Sequence, residues 1–346
     1  MLVLVTGGTG FVGAHTVAAV TAAGHRVRVL ARDPTGVDRA LSPLDVPAAA
    51  VDVVVGDVTD TAAVTAAVRD TDAVVHAASV YSFDSRRHAD TRQTNVRGTD
   101  VVLTAARDAG VRRTVYVSTF GAMLPAADGL VGPRSAVGTA TETYLASKAA
   151  AERIARRHQA QGAPVVISYP PALLGPHDPK LGDQTSRLRY VLRGMMPVWP
   201  TGGFPVGDVR DTAALHAALL TAPSDGLDRH FGPGRQLSTR EYVAAVRAVT
   251  GRRLPTLFVP ARAMLPFARL TDLVQRAWPW HIPAEYGACY VCACDARTSD
   301  TTPPLGLTPR PLTRTLTDTV RWLHDAGQLT GAQAGVLAGS SDKEQS

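Results

Sequence analysis

The sequence predicts an α/β protein built on a doubly wound parallel sheet. Short apolar runs rich in valine alternate with alanine-rich helical stretches through the first half of the 346-residue chain. The runs are LVLVT, VRVLA, VDVVVGD, AVVHAAS, TVYVST and VVISYP. Strands that alternate with helices form parallel sheets, because each helix carries the chain back to the same edge.

A glycine-rich turn follows the first apolar run. Gly7, Gly10 and Gly13 give the spacing GxxGxxG where the first strand passes into the first helix. Glycines there permit a tight turn and the close approach of a pyrophosphate, and the helix N-terminus supplies amide donors. The motif predicts a dinucleotide site, with a plain glycine-rich turn as the alternative.

The end of the second strand indicates which dinucleotide binds. In VRVLARDP this position is Arg32, and Asp33 follows it. An acidic residue here would hold the ribose 2′-hydroxyl of NAD, whereas arginine accommodates the 2′-phosphate of NADP. We expect NADP(H) to be favoured over NAD(H), with Asp33 as a competitor. The alternative for Arg32 is a solvated surface charge.

A tyrosine and a lysine stand one turn apart on a later predicted helix. In TYLASKAAAE, Tyr144 and Lys148 are four residues apart and share a face. An ammonium beside a phenol lowers the phenol pKa and makes tyrosine a usable general acid or base. The chain has only eight tyrosines and three lysines, so the pair is unusual by chance. It predicts the catalytic centre, with an ordinary amphipathic helix as the alternative.

Three further polar residues could complete that centre. TVYVSTFG ends a buried strand at Ser118 and Thr119, where a hydroxyl can donate a hydrogen bond to a substrate carbonyl. Asn95, the sole asparagine, lies on a long predicted helix and could hold a water that relays protons to Lys148. The structural alternatives are a cap on the strand and a polar joint between helix and strand.

The alternation of strands and helices loosens after about Pro170 into loops rich in proline and glycine. We expect residues 1–170 to form a Rossmann-type dinucleotide-binding domain. Residues 171–330 should form mainly a smaller substrate-binding lobe, with some segments returning to the core. Residues 331–346 end in small polar side chains with nothing to bury, so we expect a disordered tail there.

Composition argues against several classes of protein. The formal charge of +6 is scattered among acidic residues, which disfavours nucleic acid as a partner. The sequence has no apolar run of about 18 residues and no charged leader, so we expect no membrane partner and a cytoplasmic location. A small-molecule substrate and a monomer or homodimer are expected.

The three cysteines cluster in GACYVCACD. Its β-forming side chains predict a strand, which would put Cys292 and Cys294 on one face and Cys289 on the other. We therefore expect buried free thiols and no metal site, although the spacing is also compatible with zinc.

Seven motifs occur in order along nearly the whole chain: TGGTGFVG, GDVTD, VVHAAS, NVRGT, VYVST, YLASK and LGPHD. Their order and spacing resemble the extended short-chain dehydrogenase/reductase superfamily of NAD-dependent epimerases and dehydratases. VVHAASVYS, AGVRRTVYVST and LGLTPRPLTRTLTDTVRWL are most similar to its dihydroflavonol reductase and 3β-hydroxysteroid dehydrogenase branch, with the neighbouring hopanoid-associated epimerase-like proteins.

The resemblance implies a role for each matching position. The catalytic hydroxyl of the family falls on Thr119, where serine is commoner, its tyrosine and lysine on Tyr144 and Lys148, and its helix asparagine on Asn95. The cofactor-binding positions that we expect, besides Tyr144 and Lys148, are Gly7, Thr9, Gly10, Phe11, Val12, Gly13, Arg32, Asp57, Val58, Ala77, Ala78, Ser79, Pro170, Ala172 and Leu173.

Two departures from the family pattern bear on the substrate. Phe204 stands where nucleotide-sugar epimerases carry the arginine that grips diphosphate, and Ala172 replaces their asparagine. Aromatic and methionine side chains offer adaptable apolar surface instead. We expect an apolar substrate pocket, although any one of its members could instead fill the core of the lobe. Its expected members are Tyr81, Phe83, Phe120, Met123, Met195, Met196, Trp199 and Phe204.

These observations predict an NADP(H)-dependent reductase of the ketone or aldehyde group of a largely apolar small molecule, or the reverse oxidation, with Tyr144 exchanging the proton. Two alternatives remain open. The first is an epimerase or dehydratase of a sugar or nucleotide-sugar. The second is a dinucleotide-sensing regulator without catalysis, which would have no need of Tyr144, Lys148 and Thr119 together.

Overall fold

The computed structural model describes residues 1–81, 91–275, 285–298 and 304–339. Its main sheet consists of seven parallel strands, β1 (Leu2–Thr6), β2 (Arg26–Ala31), β3 (Val51–Val55), β4 (Ala73–His76), β5 (Arg113–Val117), β7 (Val165–Tyr169) and β11 (Arg229–Phe231). They lie in the order β11-β7-β5-β4-β1-β2-β3. Chain progression reverses between β1 and β4, which is where ligands bind in open α/β sheets.

Twelve α-helices accompany the strands within the described residues. They are α1 (Phe11–Ala22), α2 (Thr35–Leu41), α3 (Thr61–Val68), α4 (Gly98–Asp108), α5 (Thr143–Ala160), α6 (Asp183–Leu192), α7 (Val209–Leu219), α8 (Thr239–Thr250), α9 (Ala261–Gln275), α10 (Tyr286–Cys294), α11 (Leu312–Asp325) and α12 (Gly331–Ala334). A turn of π-helix (Gln93–Arg97) runs directly into α4. None of the helices in these ranges combines the length and apolarity needed to cross a bilayer.

Helices pack on both faces of the main sheet, and side chains point to alternate faces along each strand. On β1, Val3 and Val5 pack with residues of α1 and α7, whereas Leu4 packs with residues of α3 and α4. Helices on both faces of a parallel sheet make the doubly wound arrangement. The predicted fold class is confirmed.

The smaller lobe is built mainly from segments that follow Tyr169, with β6 as an earlier segment. One of its sheets combines β8 (Ala172–Leu174), β10 (Gly203–Asp208) and β12 (Arg235–Ser238). The two-stranded pairs are β9 (Val198–Pro200) with β13 (Leu257–Val259), and β6 (Leu130–Val131) with β14 (Arg297–Thr298). Two segments return to the main sheet: β11 extends it beside β7, and α7 packs against α1.

The cysteine-rich segment is not the expected strand. It forms helix α10, in which Cys289 and Cys292 are buried and lie three residues apart on one face, while Cys294 is half-buried. All three thiols are free. Periodicity alone cannot distinguish a short apolar strand from a buried helix, which explains the wrong prediction.

The end of the chain also differs from expectation. Residues 331–339 are not a disordered tail: Thr330 caps α12, and Ala334 and Leu337 are buried in the core of the smaller lobe. The two buried side chains, with the partly buried Ala338, dock this segment against α8 and α11. Residues 340–346 lie outside the described ranges.

Candidate active site

A cleft of about 940 Å³ opens at the carboxyl ends of the main strands, where chain progression reverses. It runs from the glycine turn to the loops of the smaller lobe. The structure brings most of the predicted site residues together in its lining. They are Gly7, Thr9, Gly10, Phe11, Val12, Gly13, Arg32, Asp57, Val58, Ala77, Ala78, Ser79, Tyr81, Thr119, Phe120, Tyr144, Lys148, Pro170, Ala172, Leu173, Met195, Met196, Trp199 and Phe204.

Two predicted residues are placed elsewhere. Met123 is 1% exposed and packs in the hydrophobic core, because the 3-10 turn after β5 carries its side chain inward. Asn95 is buried behind the cleft wall. Phe83 falls outside the residues that the structure describes.

The glycine turn has the shape that a pyrophosphate requires. A β-carbon on Gly13 would lie 2.0 Å from the carbonyl oxygen of Gly7. Gly7 has φ +76°, and a β-carbon on it would lie 2.7 Å from the backbone of Ala78. Helix α1 begins without a side-chain cap, so its first amides remain available to an anion at the cleft. These residues fit a dinucleotide.

Arg32 and Asp57 line the end of the cleft where the sequence predicts the adenosine of the cofactor. The Arg32 side chain is 76% exposed, and its Nη1 lies 3.8 Å from the Asp57 carboxylate. Asp33 is held differently: its carboxylate accepts hydrogen bonds from the hydroxyl and the amide of Thr35, which lower the pKa of Asp33. Within the described residues Arg32, and not Asp33, lines the cleft.

Tyr144 and Lys148 extend from α5 toward the end of β5. The Glu142 carboxylate accepts hydrogen bonds from the backbone amides of Tyr144 and Leu145, which fixes the first turn of the helix. The Lys148 Nζ donates a hydrogen bond to the carbonyl of Val117 at 3.0 Å. Both side chains are buried, with Tyr144 6% and Lys148 3% exposed.

The pKa of Tyr144 differs from what its spacing to Lys148 predicts. Burial raises the pKa of Tyr144 well above its ordinary value, and the phenols of Tyr81 and Tyr116 act in the same direction. A hydrogen bond with the Thr119 side chain opposes this shift. Burial also lowers the pKa of Lys148 to about 8. The pKa of Tyr144 is therefore raised and not lowered as expected, because desolvation of the phenolate is the largest effect on it.

The two hydroxyls after β5 have separate roles. Ser118 donates a hydrogen bond to Glu152 at 2.7 Å, and this buried carboxylate also binds the Tyr169 hydroxyl and Arg156. Ser118 therefore borders the cleft, but its hydroxyl hydrogen is used by the buried Glu152. Thr119 lines the cleft, and its Oγ accepts a hydrogen bond from the amide of Gly121.

Asn95 uses its whole hydrogen-bonding capacity within the protein. Its amide oxygen accepts from the Ser79 hydroxyl and the Val80 amide, and its amide nitrogen donates to the Val80 carbonyl and the Ser147 hydroxyl. An asparagine side chain has two donors and two acceptor sites, so no capacity remains for a relay water. The structural alternative is therefore favoured: Asn95 joins the loop after β4 to helix α5.

Apolar side chains surround the outer part of the cleft. The ring of Tyr81 stands edge-on to that of Tyr144, with centres 4.9 Å apart. Trp199 and Phe204 pack on Tyr242, so they belong to the core of the lobe as well as to the cleft wall. Met195 is 53% exposed at its edge. The cleft also includes Gln184 and Glu285, which no sequence motif indicated.

Comparison with known proteins agrees with this geometry. The model of the NAD dependent epimerase/dehydratase family matches residues 3–232. Sterol demethylase protein B of Methylococcus capsulatus is 29% identical over 340 residues, which cover 95% of this chain and 100% of that protein. A putative dihydroflavonol 4-reductase of Synechocystis sp. is 30% identical, over 93% of this chain and 94% of its own.

A solved structure shows the same fold. The dTDP-glucose 4,6-dehydratase DesIV of Streptomyces venezuelae, a double mutant with NAD and DAU bound, has a TM-score of 0.71 at 23% identity and covers 96% of this chain and 100% of its own. The reductases among the relatives support an NAD(P)-dependent oxidoreductase. The chain belongs to the NAD-dependent epimerase/dehydratase family of extended short-chain dehydrogenases/reductases.

Proposed function

We propose that the protein reduces the ketone or aldehyde group of a largely apolar small molecule, or oxidises the corresponding alcohol, with NADP(H). One observation carries the proposal: the hydroxyls of Tyr144 and Thr119 meet between the glycine-lined and the apolar parts of one cleft. NADPH, when bound along the glycine turn, supplies the hydride.

Tyr144 is suited to donate the proton that carbonyl reduction needs. Its raised pKa keeps the phenol protonated over the neutral range, and burial excludes water that would compete for the proton. The proton goes to the carbonyl oxygen as hydride reaches the carbon. Thr119 already accepts from Gly121, so its hydrogen can be donated toward the same oxygen.

The lining of the outer cleft supports an apolar substrate. Phe204, which by the family resemblance stands where nucleotide-sugar epimerases carry an arginine, is 8% exposed and lines the cleft together with Ala172. The relatives are named for a sterol demethylase protein and a dihydroflavonol reductase, and both names refer to polycyclic compounds. By analogy, a polycyclic or aromatic ketone is the substrate class that we propose here.

NADPH oxidation should be measured against a panel of aromatic, steroidal and polyketide ketones, with UDP- and dTDP-sugars as the opposing set. We expect turnover of lipophilic ketones with stoichiometric formation of NADP⁺. Conversion of a nucleotide-sugar without net change in the cofactor would instead establish the epimerase or dehydratase alternative. Cofactor binding without turnover of either set would favour the regulator.

Arg32 should determine the preference for NADPH over NADH. Arg32→Ala removes a guanidinium that can pair bidentately with a 2′-phosphate, so it should weaken NADPH binding by roughly 10- to 100-fold and leave NADH binding almost unchanged. The matched control is Arg26→Ala, which removes a side chain of similar exposure, 77%, from the opposite end of β2. Fluorescence titration gives both dissociation constants. Equal affinities of the unmodified protein for the two cofactors would contradict the proposed preference.

A further inference from the structure

A buried ion pair forms part of the wall of the substrate cleft. Arg187 on α6 and Glu285, directly before α10, approach to 3.3 Å between Nη2 and Oε2, and each side chain is only 11% exposed. Both residues line the cleft. Burying two charges is costly, and packed apolar residues of similar volume often stabilise a protein as well or better. Stability alone therefore does not explain why a buried ion pair occupies this position.

Polar contacts connect this pair to the catalytic tyrosine. Gln184, one turn before Arg187 on α6, accepts a hydrogen bond from Arg187 Nη1 at 3.3 Å and donates one to the Tyr81 hydroxyl at 2.9 Å. The ring of Tyr81 in turn packs edge-on against Tyr144. A molecule whose carbonyl lies at Tyr144 can therefore extend along Tyr81 toward the ion pair within one cavity.

The contact between the two charges is longer than an optimal charge-assisted hydrogen bond. Charge-assisted N–H···O bonds are ordinarily about 2.7–2.9 Å long, whereas this one measures 3.3 Å. A guanidinium only donates hydrogen bonds and a carboxylate only accepts them. A hydroxyl that reaches the pair from the cleft can accept a hydrogen bond from the first and donate one to the second, so it can bond to both without adding charge.

We propose that Arg187 and Glu285 bind a hydroxyl group at the end of the substrate remote from its reacting carbonyl. This inference rests on the proposed function and narrows the substrate class to apolar carbonyl compounds that carry a distal alcohol or phenol. It also predicts that Arg187 does not serve as a diphosphate clamp. A phosphate would compete with Glu285 for the guanidinium and would lie beside a buried carboxylate of the same sign.

Pairs of ketones that differ only in a distal hydroxyl test the proposal. Suitable pairs are 5α-androstan-3-one with its 17β-hydroxy derivative, and 2-tetralone with 6-hydroxy-2-tetralone. The unmodified enzyme should have a kcat/KM higher by roughly 10- to 100-fold for the hydroxylated member of at least one pair, since that is the range for hydrogen bonds to charged groups. Equal kcat/KM values within both pairs would overturn the proposal.

The double variant Arg187→Met/Glu285→Leu replaces the pair by apolar side chains of similar volume, which avoids leaving one charge buried alone. Its ratio of kcat/KM between the members of a pair should fall to about one or below, because the hydroxyl then meets only apolar groups. Arg193→Gln is the matched control: Arg193 caps the same helix, is exposed, and binds the Gln328 carbonyl away from the cleft. It should keep the ratio of the unmodified enzyme.

A merely structural ion pair that joins α6 to α10 predicts a different result. The double variant would then lose activity equally toward both members of each pair, and the unchanged ratio would overturn the recognition of a hydroxyl. If no ketone is reduced, the proposed reaction is wrong. Recognition of the hydroxyl is then tested by measuring how tightly the same ketones bind to the protein–NADP⁺ complex. Tighter binding of the hydroxylated compounds, lost in the double variant, supports it; equal binding, or tighter binding of UDP, overturns it.

Discussion

Tyr144→Phe should abolish useful turnover, with kcat reduced by a factor of roughly 10²–10⁴, the usual contribution of a positioned general acid. The substitution removes only a hydroxyl. The phenyl ring keeps its contact with Tyr81, and Glu142 continues to cap the helix because it binds the backbone amide of residue 144. NADPH affinity should therefore be retained. Steady-state rates with a responsive ketone and a cofactor titration measure the two effects separately.

A second tyrosine provides the control for this prediction. Tyr290 lies on α10, is half-buried and does not line the cleft. Tyr290→Phe also removes one hydroxyl from a packed ring, and it should leave kcat close to that of the unmodified enzyme. If Tyr144→Phe retained a similar rate, the proton donor would have to be another group. The reaction scheme based on Tyr144 would then be wrong.

Local geometry explains which parts of the site the sequence predicts. The glycine turn needs only three residues at fixed spacing, since a β-carbon on Gly13 would collide with the carbonyl of Gly7 a few residues earlier. Tyr144 and Lys148 share a face because they are one helical turn apart. The alternation of apolar runs and helical stretches predicts the parallel sheet in the same way, and the carboxyl ends of its strands then define the cleft.

Long-range contacts explain what the sequence does not predict. Arg187 and Glu285 meet across 98 positions, in a region where loops separate short elements and no periodicity relates one element to another. From the sequence, Asn95 is equally suited to a proton relay and to linking a helix to a strand. Only its four hydrogen-bond partners decide between the two roles. The direction of the Tyr144 pKa shift depends on how deeply the surrounding residues bury the phenol. The spacing between Tyr144 and Lys148 gives no information about this burial.

Desolvation also connects the fold to the chemistry at Lys148. The ammonium is buried beside the Tyr116 ring, with Nζ 5.3 Å from its centre, and the nearest carboxylate that raises its pKa is Glu152 on the same helix. Ser118, Tyr169 and Arg156 share the charge of Glu152, so the carboxylate does not fully compensate the burial of Lys148. The folded protein thus holds a partly destabilised ammonium where, by family resemblance, the cofactor ribose lies.

Lys148→Met should abolish turnover and, unlike Tyr144→Phe, should also weaken NADPH binding. The substitution keeps the length and packing of the side chain but removes the ammonium that is expected to hold the ribose and the charge next to the catalytic phenol. The loss of kcat should be at least roughly 10²-fold, as for the removal of other charged groups that position a reaction. Unchanged NADPH affinity would contradict the proposed contact with the cofactor.

The same variant should reveal the cost of burying Lys148 through the pH dependence of stability. The pKa of Lys148 is about 8 in the folded protein, below its ordinary value of 10.5. Between these two values the unfolded chain binds a proton that the folded chain has lost, so this lysine makes the free energy of unfolding rise with pH. Relative to Lys148→Met, the free energy of unfolding of the unmodified protein should rise by about 2 kcal/mol from pH 7 to pH 9.5.

Urea unfolding of both proteins at several pH values measures the difference between their free energies of unfolding. The titration of all other groups contributes equally to both proteins and therefore cancels. The absolute difference at one pH is less informative, because methionine also leaves the Val117 carbonyl without the Nζ donor. Tyr144→Phe is the control: the ordinary pKa of tyrosine is 10.0 and burial raises that of Tyr144 further, so its loss should produce almost no trend below pH 9.5. A difference between the unmodified protein and Lys148→Met that stays constant from pH 7 to pH 9.5 would show that Lys148 is not desolvated, and the ammonium would then be as stable in the folded protein as in water.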